Sequence, residues 1–244
     1  LAAEFKDLQR LFSHLEKVLS HLEFAPPVSH VYNPLVYAKD PFEQYLRRFV
    51  VGPPGRTLLL GMNPGPWGMA QTGVPFGEVA AVRDWLGLSG QVGQPALPHK
   101  ARPIEGFDCR RSEVSGRRLW GLFANRYRNA TEFSRDFVVI NYCPLVFMED
   151  SGRNRTPDKL PRSERTPLYQ ACDHALHRLL ELLQVRRAVG VGKFALERLQ
   201  TVTKADGSEL PLDSILHPSP ANPQANADWE GKVLPVLDPT FTRA

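Results

Sequence analysis

The sequence predicts an α/β fold, a three-layer α/β/α sandwich around a central, mainly parallel four-stranded sheet. Two observations carry this reading. Four short apolar runs, Thr57–Leu60, Phe137–Ile140, Ala188–Val191 and the weaker Ser214–Leu216, have the length and the aliphatic or β-branched content of buried strands. Helical patterns lie between them, at Val79–Leu86, Leu119–Arg126, Pro167–Leu183 and Phe194–Gln200. Strands that alternate with helices pair in parallel, with helices covering both sheet faces.

Taken in order, Phe5, Leu8, Phe12, Leu15, Leu19 and Leu22 recur at helical spacing and Pro26-Pro27 follows as a stop, which predicts an amphipathic helix within residues 4–23. A shorter helix is expected over Phe42–Val50, after Asp40-Pro41, an N-cap residue followed by a first-turn proline. The first strand runs straight into Gly61–Glu78, where glycine and proline are too dense for a strand or regular helix to continue. Residues 87–118 are rich in Gly, Pro and Arg and read as a long irregular excursion. Ser151–Arg165 has no apolar periodicity and holds five basic residues against two acidic ones, so it reads as an exposed basic loop, with Thr166 capping the helix that follows.

A chain of 244 residues with 42% hydrophobic content can bury a sizeable core, and residues 1–244 are read as one domain. No apolar run approaches the length needed to span a bilayer, so no membrane partner is expected. The first residues carry neither an initiator Met nor a signal segment, and the chain reads as a trimmed or internal fragment, from which any targeting sequence would be missing. Cys109, Cys143 and Cys172 are odd in number and widely spaced, the pattern of buried thiols in a reducing compartment rather than of disulfides or metal clusters. A net charge of +4 and a pI near 9.1 favour a polyanionic partner.

Asn63, Asn141 and His217 each stand just beyond an apolar run. In a parallel sheet such positions share the carboxyl edge, where open α/β folds bind ligands. Pro64, Pro144 and Pro218 stiffen the three loop exits. Taken singly, each Asn reads as a turn residue and His217 as a structural histidine. Held together by rigid loops, the three suit a neutral polar ring better than a phosphate. Val189-Gly190-Val191-Gly192-Lys193-Phe194 lacks the spacing and the hydroxyl of a phosphate loop. His174 and His177 have no third ligand in view, Glu78 and Asp84 read as helix N-terminal charge, and Pro218 separates Ser219 from His217 as a nucleophile pair. No metal and no cofactor is expected.

Together, Gly61–Glu78, Asn141-Tyr142-Cys143-Pro144 and His217-Pro218-Ser219-Pro220 resemble the single-strand-selective monofunctional uracil-DNA glycosylases of the uracil-DNA glycosylase superfamily, over roughly residues 5 to 240. The resemblance implies that fold and a nuclear, monomeric base-excision-repair enzyme. Its DNA substrate carries uracil or an oxidised uracil such as 5-hydroxymethyluracil, single- or double-stranded, and the products are a free base and an abasic site; the alternative is a non-catalytic sensor that keeps the pocket and only binds damaged bases in DNA. By resemblance Phe76 stacks on the flipped base, Asn141 reads its N3–H and O4, and Met62 offers a backbone N–H to the departing base. His217 donates to O2, and Asn63 holds the water where the best-known relatives carry an aspartate. Gly65 stands where related enzymes place a bulky ring against C5, which leaves room for a polar substituent. A polar surround that leaves a methyl unsatisfied is the expected ground for refusing thymine. DNA contacts are expected from Ser151, Gly152, Arg153, Asn154, Arg155, Lys159, Arg162 and Arg165, and from Ser219, Ala221 and Asn222. Relatives carry an arginine soon after the His-Pro-Ser-Pro segment. Here Ala221 follows, so Asn222 or the basic loop is left to hold an opened duplex.

Overall fold

The computed structural model describes residues 3–237. In chain order the regular elements are α1 (Phe5–Ser20), β1 (His30–Tyr32), α2 (Pro34–Tyr37), α3 (Lys39–Tyr45), β2 (Thr57–Gly61), α4 (Met69–Thr72), α5 (Val114–Ala124) and α6 (Ala130–Asp136). Then follow β3 (Phe137–Asn141), β4 (Val146–Met148), β5 (Asn154–Arg155), α7 (Arg162–Leu183), β6 (Arg187–Val191), α8 (Lys193–Asp206), β7 (Leu212–Ile215) and α9 (Pro223–Leu237), the last kinked at Asp228.

The four expected strands form one parallel sheet in the order β3-β2-β6-β7. Residues of β2 and β3 are buried throughout, which is why their sequences are continuous apolar runs and not alternating ones. From β2 the chain moves outward to β3, and from β6 it moves outward the opposite way to β7. Right-handed crossovers therefore put α5 and α6 on one face and α8 on the other. The helices α7 and α1 pack in the α8 layer, while α9 turns back beside α5. The stripe of α1 (Leu8, Phe12, Leu15, Leu19) is buried against this body, as its spacing requires.

Several expectations need correction. The stretch Ser151–Arg165 is not a structureless loop: Asn154 and Arg155 pair antiparallel with Met148 and Phe147, in a second, three-stranded sheet ordered β1-β4-β5. Strands of two or three residues are too short to leave a periodic signal. A 3₁₀ turn at Pro157–Lys159 follows, and α7 starts at Arg162 with Pro161 at its cap, so Thr166 lies inside the helix. The Phe42–Val50 pattern divides into the end of α3 and a π-helical turn at Leu46–Val50, and the Val79–Leu86 pattern is helical as expected, starting at Val79 and Ala80 and taking π-helical form over Ala81–Trp85.

The first π turn is closed by a buried cation. Arg56 donates to the carbonyls of Phe49 (3.0 Å), Pro53 (3.0 Å), Ser134 (3.2 Å) and Val50. Burial lowers its pKa, and the four carbonyl dipoles take the place of a carboxylate partner. This plug precedes β2 directly, and β2 delivers the glycine- and proline-rich loop.

Candidate active site

The order of the sheet reverses between β2 and β6, and in such sheets a crevice opens at the carboxyl ends of the strands. There the structure has a cavity of about 530 Å³. Met62, Asn63, Gly65, Phe76, Asn141 and His217, the six residues expected to handle the base, all line it. The sequence places them up to 155 positions apart, from 62 to 217. Strand register brings them together: Gly61 pairs with Asn141 across β2 and β3, and beyond the strands Tyr142 N–H donates to Gly61 O and Cys143 N–H to Met62 O, both at 2.9 Å.

The side chains are fixed in ways that assign their hydrogen-bonding sense. Asn63 donates through Nδ2 to Leu145 O (3.1 Å) and, more weakly, to Pro64 O (3.4 Å). Both amide protons are thus committed to main-chain carbonyls, and Oδ1 is the group left to accept from a ligand. Asn141 is buried, and its Nδ2 lies 3.4 Å from Met69 Sδ, a weak acceptor that a better one can displace.

His217 Nδ1 accepts a hydrogen bond from the Ser219 N–H at 3.1 Å, so in the neutral ring the proton is on Nε2. Burial lowers the His217 pKa, which keeps the ring neutral and Nε2 a donor at neutral pH. The two prolines remove main-chain donors from this loop, and side chains of α5 and α9 hold its carbonyls instead. Trp229 Nε1 donates to Leu216 O (2.6 Å), Arg118 to Pro218 O (3.0 Å) and Asn226 Nδ2 to Pro220 O (2.8 Å).

Phe76 has φ +52°, a left-handed backbone that is strained for an aromatic residue. Its surroundings enforce it: Glu78 N–H donates to Phe76 O (2.8 Å), and the buried Thr72 hydroxyl donates to Gly77 O (2.9 Å). The strain turns the ring into the cavity, 6.4 Å from the His217 ring between centroids. Gly61 is a requirement of the same packing. A Cβ there would come within 2.3 Å of Asn141 Oδ1 and 2.6 Å of the Phe76 ring, whereas one at Gly65 would meet nothing within 4 Å.

Of the residues expected to contact DNA, only Asn154 and Ser219 line the cavity. Gly152 and Arg153 stand in the turn just before Asn154. Arg155 is spent on an ion pair with Glu149 (2.6 Å) and Lys159 on Asp158 (3.5 Å), while Arg162 and Arg165 line a separate cavity with Tyr169 and Arg198. Asn222 caps α9 by accepting from Gln224 N–H (3.1 Å), and Ala221 is exposed.

Sequence reasoning missed Gly61, Met69, Glu113, Ser115 and Thr156. Glu113 lay inside what reads as irregular excursion, yet it caps α5, accepting from Gly116 N–H at 2.6 Å, and burial raises its pKa. The Glu-x-x-Gly spacing ahead of Leu119 and Trp120 was the available signal. Among the described residues no cluster of three or more His, Cys, Asp or Glu is placed to hold a metal, and no helix is long and apolar enough to cross a membrane. The three cysteines are buried and free.

Known proteins resemble this chain in sequence and in fold. A single-strand selective monofunctional uracil-DNA glycosylase of Rattus norvegicus is 49% identical over 216 residues, covering 88% of this chain and 77% of the relative. A Bos taurus protein of the same name is also 49% identical, covering 88% and 79%. The crystal structure of Pedobacter heparinus SMUG2 superimposes with a TM-score of 0.64 over 96% of this chain and 97% of that one, at 16% identity, and so supports the fold. Residues 50–238 match the sequence profile of the Uracil DNA glycosylase superfamily, and the chain belongs to that family.

Proposed function

We propose that the chain removes uracil from DNA by hydrolysing its N-glycosidic bond, leaving an abasic site, and that the same pocket accepts uracils carrying a small polar group at C5. The observation that carries this reading is the fixed donor sense of His217, a neutral ring with its proton on Nε2, set at the cavity wall beside Phe76. A flipped uracil stacks on the Phe76 ring, an interaction worth about 1–3 kcal/mol for a base on an aromatic. Asn141 accepts N3–H through Oδ1 and donates to O4 through Nδ2, giving up its weak bond to Met69. Cytosine presents the reverse pattern at those two atoms and leaves both amide groups unpaired in a buried site.

As the bond to N1 breaks, negative charge gathers on the base and positive charge on the sugar. His217 Nε2–H and the Met62 main-chain N–H stabilise the anion at O2. Asn63 Oδ1 orients the water that adds to the sugar C1′. An amide is too weak a base to ionise that water, so its contribution is alignment toward an already formed cation. Among the described residues the cavity lining holds no lysine to form an imine with the opened sugar, which supports hydrolysis without strand cleavage. Open space at Gly65 supports the wider C5 substrate range.

The test is incubation of the purified chain with end-labelled single-stranded and duplex oligonucleotides containing one uracil, 5-hydroxymethyluracil or thymine. Alkali-labile sites at the first two and none at thymine are expected. Binding to uracil DNA without base release would overturn the hydrolytic reading, and equal release of thymine and 5-hydroxymethyluracil would overturn the C5 reading.

A further inference from the structure

One lip of the cavity is laced from three segments. Buried Gln71 donates to Pro66 O (2.9 Å) and Pro103 O (3.0 Å) and accepts from the N–H groups of Glu105 (2.8 Å) and Gly106 (3.1 Å). It thereby clamps the irregular excursion to the pocket loop. Arg102 Nε donates to Gly152 O at 2.9 Å, which ties in the turn ahead of Asn154. Pro66, Gly68 and Asn154 line the cavity itself. At the junction stands half-buried Trp67, with the Arg111 guanidinium 4.6 Å and the Arg102 guanidinium 5.3 Å from its ring centroid.

Neither cation has a carboxylate within 4.0 Å among the described residues, although Glu105, Asp108 and Asp150 are exposed on the same segments. The Arg111 guanidinium makes no hydrogen bond to the described residues. An arginine packed on an indole is weakly hydrated and held in place, so its N–H edge is preorganised for an oxyanion. The contrast with Arg155 and Lys159, which are already paired, is informative.

We propose that this lip docks the phosphodiester backbone of the DNA strand entering the cavity, with Arg102 and Arg111 as phosphate ligands and Trp67 as the scaffold that aims them. The inference rests on the reading that the substrate is DNA. It assigns backbone binding to the excursion around residues 100–111 in addition to the basic segment that follows β4.

The test uses a fluorescent single-stranded oligonucleotide containing a 2′-fluorinated deoxyuridine, whose glycosidic bond resists cleavage, titrated by anisotropy between 50 and 200 mM salt. Each phosphate released from counterions contributes about 0.7 to the slope of log affinity against log salt on a single strand. Arg111→Ala should lower that slope by about 0.7 and weaken binding about fivefold at 0.1 M salt, and adding Arg102→Ala should bring the loss of slope to about 1.4. Trp67→Leu should weaken binding with the slope nearly kept, because both charges remain. A thermal melt of Arg111→Ala should match wild type, because the guanidinium makes no hydrogen bond or ion pair among the described residues, so weaker binding there is not a loss of folding. An unchanged slope in the double variant, with wild type binding and cleaving normally, would overturn the docking inference alone. A wild-type chain that releases no uracil would instead overturn the glycosylase reading.

Discussion

Replacing Gly61 by alanine separates the pocket from the fold. Gly61 sits inside β2 in register with Asn141 and has no left-handed φ, so alanine fits the strand backbone. Its methyl does not fit the pocket, since the Cβ would lie 2.3 Å from Asn141 Oδ1 and 2.6 Å from the Phe76 ring. Relief requires the carboxamide to retreat by roughly 1 Å, enough to break hydrogen bonds of ordinary length. Two base-reading hydrogen bonds at about 1 kcal/mol each, with part of a stacking interaction of about 1–3 kcal/mol, sum to roughly 2–5 kcal/mol. Expressed as a rate this is a fall in kcat/KM from about 30-fold to a few thousandfold. The assay is single-turnover cleavage of a uracil oligonucleotide beside a thermal melt of the same preparation. Coupling is expected as well: in an Asn141→Ala background Gly61→Ala should have a much smaller effect, because the group it displaces is already gone. Wild-type kcat/KM in Gly61→Ala would refute the reasoning, as would an activity loss that merely follows a lowered melting temperature.

Four further outcomes follow from the same geometry. Asn63→Asp should be no faster than wild type at pH 7, despite supplying a stronger base, because a carboxylate cannot donate to Leu145 O and Pro64 O and is repelled by both; a faster variant in a uracil-release assay would contradict the assigned amide orientation. His217→Leu should slow release about 10²–10³-fold, and unimpaired cleavage would remove His217 from the mechanism. Because burial holds the folded His217 pKa below the ordinary value of about 6.5, the unfolded chain binds the extra proton first. Stability from this group is full above about pH 6.5 and is lost as pH falls toward the folded value, so denaturant midpoints should drop in that window for wild type and less for His217→Leu. Arg56→Met strands four carbonyls, two in the π turn, one in the loop after it and one in α6, and should destabilise by on the order of 3 kcal/mol, lowering Tm by roughly 6–12 °C with cleavage at 25 °C retained; an unchanged Tm would show that the plug is dispensable.

The four strands of the parallel sheet, α1 and the carboxyl-edge positions of Asn63, Asn141 and His217 were legible because each rests on local pattern: apolar runs, helical spacing and the residues that interrupt them. The three-stranded sheet, the early start of α7 and the pairing of Arg155 and Lys159 were not. Short strands are made by partners distant in the chain, and a cation's availability depends on which carboxylate the fold sets beside it. The glycine at 61 looked like one of many in a turn-rich loop. Only its register opposite Asn141 makes it the position where the base reader and the stacking ring leave no room for a methyl. The sequence by itself determined which side chains stand at the strand ends. The tertiary structure decided what each of them can donate or accept, because that depends on the groups beyond it: the carbonyls that take both protons of Asn63, the Ser219 N–H that moves the proton of His217 to Nε2, and the indole that holds Arg111 free.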